Sequence, residues 1–222
     1  MPDGEGSEVE FSDETALITG AAGNLVAVVA EVMSARGARL VLLDLQRDGL
    51  VLQPAEVQEA VHGAQAQSGR IDVLCNLADG FRMGPTVHAT QERDWDFLMG
   101  INARTLLNMV SAVVPCMLAP GGGGIVNVAA QSALRGAAHT RAYTAAKCAV
   151  IRVTESMAAE LRAQNIRVNC VLPSSIRLKT GRLCPRPTRQ AGCLRKIWPG
   201  PSHSWRLTQP APCRAWRYRS VV

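Results

Sequence analysis

Thr15 to Thr19 (TALIT) is an apolar run that stops at a glycine, and the chain repeats that arrangement. Gly20 opens a turn of small residues. Leu25 to Arg36 carries helix-type residues up to Gly37, and Ala38 to Asp44 (ARLVLLD) is a second buried-strand pattern. Strand, glycine turn, helix and strand in that order predict parallel strands covered by helices. The pattern resumes with a helix from Pro54 to Gln67 and a strand from Ile71 to Cys75. Asp94 to Leu118 reads as one long helix, with Trp95, Leu98, Ile101, Leu106 and Met109 on or near one face. Ile125 to Ala129 reads as a strand, Arg141 to Gln164 as a helix and Ile166 to Leu172 as a strand, which Pro173 ends. The expected class is α/β.

The strand-to-helix turn Thr19-Gly20-Ala21-Ala22-Gly23-Asn24-Leu25-Val26 is the first candidate for chemistry. A turn there can aim backbone N–H groups and a helix N-terminus at a pyrophosphate. Gly20 permits the sharp bend, and Ala21, Ala22 and Gly23 are small enough for close approach of a ligand. Asn24 is a residue type that tolerates positive φ. A plain small-residue turn has the same composition, so other residues must decide. Asp44, about twenty residues further on, can accept hydrogen bonds from an adenine-ribose 2′-OH and repels a 2′-phosphate. A surface Asp at a strand end is the alternative.

Tyr143-Thr144-Ala145-Ala146-Lys147 opens the helix before the last strand. Residues four apart share a helical face. An ammonium beside a phenol favours the phenolate and lowers the Tyr pKa from its reference of about 10. The phenol can then exchange a proton with a substrate oxygen near neutral pH. The same spacing also arises by chance. The chain has 2 Tyr, and the other is Tyr218.

Charge divides the chain. The formal net charge is +6, yet residues 1–176 carry −5 and residues 177–222 carry +11 with no acid. The basic stretch holds Trp198, Trp205 and Trp216, recurrent prolines and no sustained period, so disorder is expected there. Arg with interleaved Trp can bind phosphates and stack on bases, but a shifted reading frame yields the same composition, and no nucleic-acid partner is expected. Residues 14–176 are expected to form one domain after a flexible 1–13. The 7 Cys include no CxxC pair, and no metal site is expected. An acidic, polar start without a secretory pattern and an odd Cys count point to the cytoplasm. No apolar run reaches the roughly 20 residues of a membrane span, so no membrane partner is expected.

Taken together and in order, the TGAAGNLV turn, Asp44, DVLCNLADG (72–80), Asn102, IVNVAA (125–130), YTAAK (143–147) and IRVNCVLPS (166–174) resemble the short-chain dehydrogenase/reductase family. The resemblance covers about Thr15 to Ile176 and is nearest to bacterial 3-oxoacyl-reductase-like members. It implies a Rossmann-like, doubly wound parallel sheet. It also implies hydride transfer between NAD(P) and a small carbonyl or alcohol substrate. On that resemblance Tyr143 is the acid/base and Lys147 binds the nicotinamide ribose and tunes Tyr143. Asn102 holds a proton-relay water. Gly20, Ala22, Gly23, Asn24 and Leu25 face the pyrophosphate, while Asp44 favours NAD over NADP. Asn76, Ala78 and Pro173 belong to the cofactor wall. The helices at 94–118 and 141–164 are those the family uses for homo-oligomer contacts.

Several positions depart from the family pattern. Ala130 stands where the family has its catalytic serine, with Ser132 two residues later. Val26 replaces the third turn glycine, which should push helix and strand apart or shift the pyrophosphate site. Asp79 stands where the NNAG segment ends in Gly. Only Leu45 to Gln53 separate Asp44 from Pro54, where the family places a helix and an edge strand. After Pro173 the family's lid and final strand give way to the basic stretch. Five strands are therefore expected, in the order 2-1-4-5-6 of the family's numbering. Two readings follow: an NAD(H)-dependent oxidoreductase acting through Tyr143, or a truncated, inactive relative that at most binds nucleotide.

Overall fold

The structure, a computed structural model, describes residues 10–44, 46–47, 50–51 and 53–174. In chain order its main elements are β1 (Thr15–Thr19), α1 (Asn24–Ala35), β2 (Arg39–Leu43), β3 (Gln46–Arg47), β4 (Leu50–Val51) and α2 (Pro54–Ser68). They continue with β5 (Val73–Asn76), α3 (Glu92–Met99), α4 (Thr105–Leu118), β6 (Gly123–Val128), α5 (Arg141–Leu161) and β7 (Ile166–Val171). The basic stretch 177–222, with its three Trp, lies outside the described residues.

Five strands form one parallel sheet in the order β2-β1-β5-β6-β7, the order expected from the sequence. All five residues of β1 are buried, as a central strand covered on both faces requires. Leu17, Leu74 and Ile125 point to one face, where α2, α4 and α5 supply Val57, Val61, Met109, Val113 and Val150. Ala16, Ile18 and Cys75 alternate onto the other face, where α1 supplies Val26 and Met33. Deleting a side chain such as Met109 from so closed a core costs about 2–5 kcal/mol.

The short connection after β2 forms an antiparallel pair, with Gln46 opposite Val51 and Arg47 opposite Leu50. This pair is a separate two-stranded sheet. Among the described residues β2 is therefore an edge, and its Leu42 is 47% exposed.

The region read as one helix from Asp94 starts earlier and is not uniform. Between α3 and α4, Gly100–Arg104 form a wide π turn, and the Thr105 N–H donates to Gly100 O, five residues back. One inserted residue advances the helix phase by about a quarter turn. A single 3.6-residue stripe therefore cannot hold on both sides of it. Leu98, Ile101, Leu106 and Met109 are buried, whereas Trp95 is 39% exposed. The helical stretch Glu92–Leu118 is long and apolar enough to cross a membrane by length and composition, but half of its most apolar window is buried inside this fold.

Candidate active site

The C-terminal ends of β1, β5 and β6 gather the residues singled out in the sequence. Ligands of open parallel sheets bind at this edge, where successive connections leave in opposite directions. At the end of β1, Thr19 Oγ1 accepts from the N–H groups of Leu77 and Ala78, each at 3.1 Å. Gly20 has φ +83°, and a Cβ there would lie 3.0 Å from the Ala78 N and Cα. Both the backbone angle and the close approach call for glycine. The N–H groups of Gly20 and Ala21 donate to Leu43 O at 2.8 and 3.2 Å. This joins the turn to the residue before Asp44, which is exposed at the tip of β2.

Gly23 is the extended N-cap of α1, and Asn24 is its first helical residue. The positive φ anticipated for Asn24 falls on Gly20 instead, because the bend is complete before the helix starts. No side chain caps α1 and no acid occupies its first turn, while Ala22, Gly23 and Asn24 are exposed. Orphan N–H groups and the positive helix end thus face outward without an internal anion. Leu25 is half-buried beside them. Val26 is taken up in the core with Ile18, Met33 and Cys75.

A buried polar chain ties the strands together behind this turn. Asn76 Nδ2 donates to Asn127 Oδ1 at 2.8 Å, and Asn127 Nδ2 donates to Thr154 Oγ1 on α5 at 2.9 Å. Next to it, Asn102 clamps the loop after β5. Its Nδ2 donates to Gly80 O and Leu98 O, both at 2.9 Å, and its Oδ1 accepts from Gly80 N at 3.3 Å. Both amide hydrogens are thus used on the protein, so the side chain serves here as a clamp for residues 78–80. A Cβ on Gly80 would come within 2.7 Å of Ile101 Cγ2, which keeps that position free of a side chain. The π turn sets Asn102 at the loop, and such turns are frequent at functional sites.

Tyr143 and Lys147 lie one turn apart on α5. Tyr143 is 9% exposed and packs with Leu98, Ala130 and Ala142. The ring of Phe81 meets it edge-on, centroids 4.9 Å apart. Lys147 is 1% exposed, and Nζ lies 5.8 Å from the Tyr143 ring centroid. A cation so deeply buried needs partners. Nζ donates to Val128 O at 2.9 Å and lies 3.0 Å from Asp79 Oδ1. Asp79 thus sits in the site, although in the sequence it stands out only as a departure from the family pattern. The available signal was an acid in the loop leaving the C-terminal end of a central strand.

Ala130, which the sequence resemblance aligns with the family's serine, packs against Tyr143. Ser132 is half-buried in the 3-10 turn Gln131–Leu134. Pro173 closes this side: its carbonyl accepts from Gln131 N at 3.0 Å. Burial pushes the Cys75 thiol up to about 12. Burial also raises Cys170 on β7, against the pull of hydrogen bonds and of the nearby Lys147. Neither thiol is set up as a nucleophile.

The residues present fit a dinucleotide: an uncapped helix end for a pyrophosphate, an exposed Asp at the neighbouring strand tip and a buried ammonium beside a phenol. Comparison with known proteins points the same way. The short chain dehydrogenase family model matches residues 14–183. A D-threitol dehydrogenase of Mycolicibacterium smegmatis is 32% identical over 214 residues, covering 87% of this chain and 77% of that protein. A 3-oxoacyl-(acyl-carrier-protein) reductase of Thermotoga maritima is 29% identical over 207 residues, covering 84% of each. Among solved structures, NAD+-bound xylitol dehydrogenase superposes with a TM-score of 0.68 at 26% identity, covering 75% of this chain and 72% of that one. Carveol dehydrogenase of Mycobacterium avium in complex with NAD gives 0.68 at 25%, covering 73% and 70%. Because the family match begins just before β1 and runs past β7, it takes in every element that builds the site, and the chain belongs to the short-chain dehydrogenase family.

Proposed function

We propose that this chain is an NAD(H)-dependent oxidoreductase acting on a small carbonyl or alcohol substrate, with Tyr143 as its acid/base. The observation that carries this reading is the Tyr143–Lys147 pair on α5, a nearly buried phenol with a buried ammonium 5.8 Å from its ring. A bound nicotinamide nucleotide supplies or accepts the hydride. Tyr143 gives a proton to the substrate oxygen in reduction and takes it back in oxidation. Lys147 holds positive charge next to that phenol and offers N–H donors to a ribose hydroxyl. The α1 N-terminus and the Gly20–Gly23 turn receive the pyrophosphate. Asp44 accepts hydrogen bonds from the adenine ribose and disfavours a 2′-phosphate, so NAD is preferred to NADP.

Sugar alcohols are sensible first substrates because the D-threitol and xylitol dehydrogenases are similar to this chain over most of its length. Simple secondary alcohols and 3-oxoacyl esters come next. The exposed Leu107 and Leu118 on α4 support contacts with a second copy, which light scattering after gel filtration tests.

Ala130 favours a second reading, in which the chain binds nucleotide without turnover. Titration with NADH and NADPH, followed by intrinsic fluorescence and thermal shift, precedes the substrate screen. Saturable NADH binding together with turnover that Tyr143→Phe abolishes supports the oxidoreductase. Turnover that survives Tyr143→Phe overturns the role of Tyr143, and binding without any turnover selects the second reading.

A further inference from the structure

We propose that Asp79 is a positioning residue that sets the protonation range of Tyr143 through Lys147. This rests on the reading of Tyr143 as the acid/base. The Asp79 carboxylate lies 3.0 Å from Lys147 Nζ, and the ammonium lies 5.8 Å from the Tyr143 ring. A lone ammonium stabilises the phenolate. An ammonium paired with a carboxylate presents a dipole, whose pull on the phenol is weaker. Asp79 therefore moves the proton-transfer window of Tyr143 upward from where the lysine alone would place it.

The backbone that carries the carboxylate is held on both sides. The Ala78 N–H is bound to Thr19 Oγ1, and Gly80 is bound twice by Asn102. The main chain of Asp79 thus starts from a fixed point, within reach of the ammonium. Asp79 is 42% exposed, so water screens it partly and the effect is modest. Losing one unit charge several ångströms away in such a setting corresponds to about half to one pH unit.

Other charged or titratable groups pack around the pair. Cys170 on β7 feels the Lys147 charge and that of Glu155. Arg141, at the start of α5, hydrogen-bonds Thr90. Arg82 lies over the Phe97 ring, which packs against the Tyr143 cluster. These groups stay constant in the comparison below.

The chain offers a direct probe because it has 2 Tyr. In a Tyr218→Phe background, the ultraviolet phenolate band reports Tyr143 alone, since Trp does not ionise. Asp79→Asn is expected to lower the midpoint of that titration by about half to one pH unit. Asp79→Glu, which keeps the charge, is expected to stay near the parent. An unchanged midpoint in a folded Asp79→Asn protein overturns the proposal, as does a loss of melting temperature with no change in midpoint. Should the Asn variant not fold, Asp79→Gly removes the same charge and is held to the same expectation. Where alcohol oxidation is measurable, the acid limb of kcat/KM moves down by the same amount. A chain without turnover still yields the phenolate titration, so failure of the catalytic reading and failure of this proposal are told apart.

Discussion

Thr19→Val tests whether one buried hydroxyl holds the site loop. Thr19 is fully buried, and its Oγ1 is the acceptor for two backbone N–H groups, those of Leu77 and Ala78, each at 3.1 Å. Valine keeps the shape and removes the acceptor. A buried donor left without a partner costs about 1–3 kcal/mol. The Leu77 N–H keeps a second acceptor, Cys75 O at 3.1 Å, and Ala78 is half-buried, so water can take over part of its bond. The expected loss is about 1–2 kcal/mol, or ~2–8 °C in melting temperature for a domain of this size. Thr19→Ser keeps the oxygen and is expected to lose less than half as much. Urea unfolding of the three proteins, followed by circular dichroism, provides the measurement. A Thr19→Val midpoint equivalent to less than about 0.5 kcal/mol of destabilisation refutes the reasoning, because it would mean that the loop N–H groups are satisfied elsewhere.

Restoring a hydroxyl at the position beside Tyr143 is a gain-of-function test. Ala130→Ser is expected to raise kcat/KM by ~10–100-fold, as one added donor to a developing oxyanion does, and steady-state kinetics on an accepted alcohol checks it. Glu14 provides a pH test of stability. Its carboxyl is raised above 4.5, first by burial and then by the charge of Asp72. The folded state therefore binds its proton more tightly than the unfolded chain does. The stability Glu14 contributes is fully present below the unfolded value and is lost as pH rises through the folded one. Glu14→Gln is expected to stabilise the protein at neutral pH by up to about 0.5 kcal/mol. The gain should vanish below about pH 4, read from melts across that range.

The strands, most of the helices and the order of the sheet were legible in the sequence because each rests on local evidence. Apolar runs such as TALIT are bounded by glycines, and two residues four apart on a helix must share a face. Tyr143 and Lys147 are legible in that way, as is the Gly20 turn, whose bend needs a residue without a side chain. The brevity of Leu45 to Gln53 likewise told that a helix and an edge strand do not fit between β2 and α2.

The working arrangement of the site came only with the tertiary structure. Asp79 and Lys147 are far apart in sequence, and no local period relates them. They meet because β5 and β6 pair in parallel and α5 packs behind their ends, bringing the loop after β5 over the lysine. The π turn that sets Asn102 against Gly80 escaped the periodicity because an inserted residue changes the helix phase without leaving a mark in composition. Sequence patterns record what a segment needs from its own neighbours. Which distant charges face one another is decided when the core closes and buried polar groups must find partners.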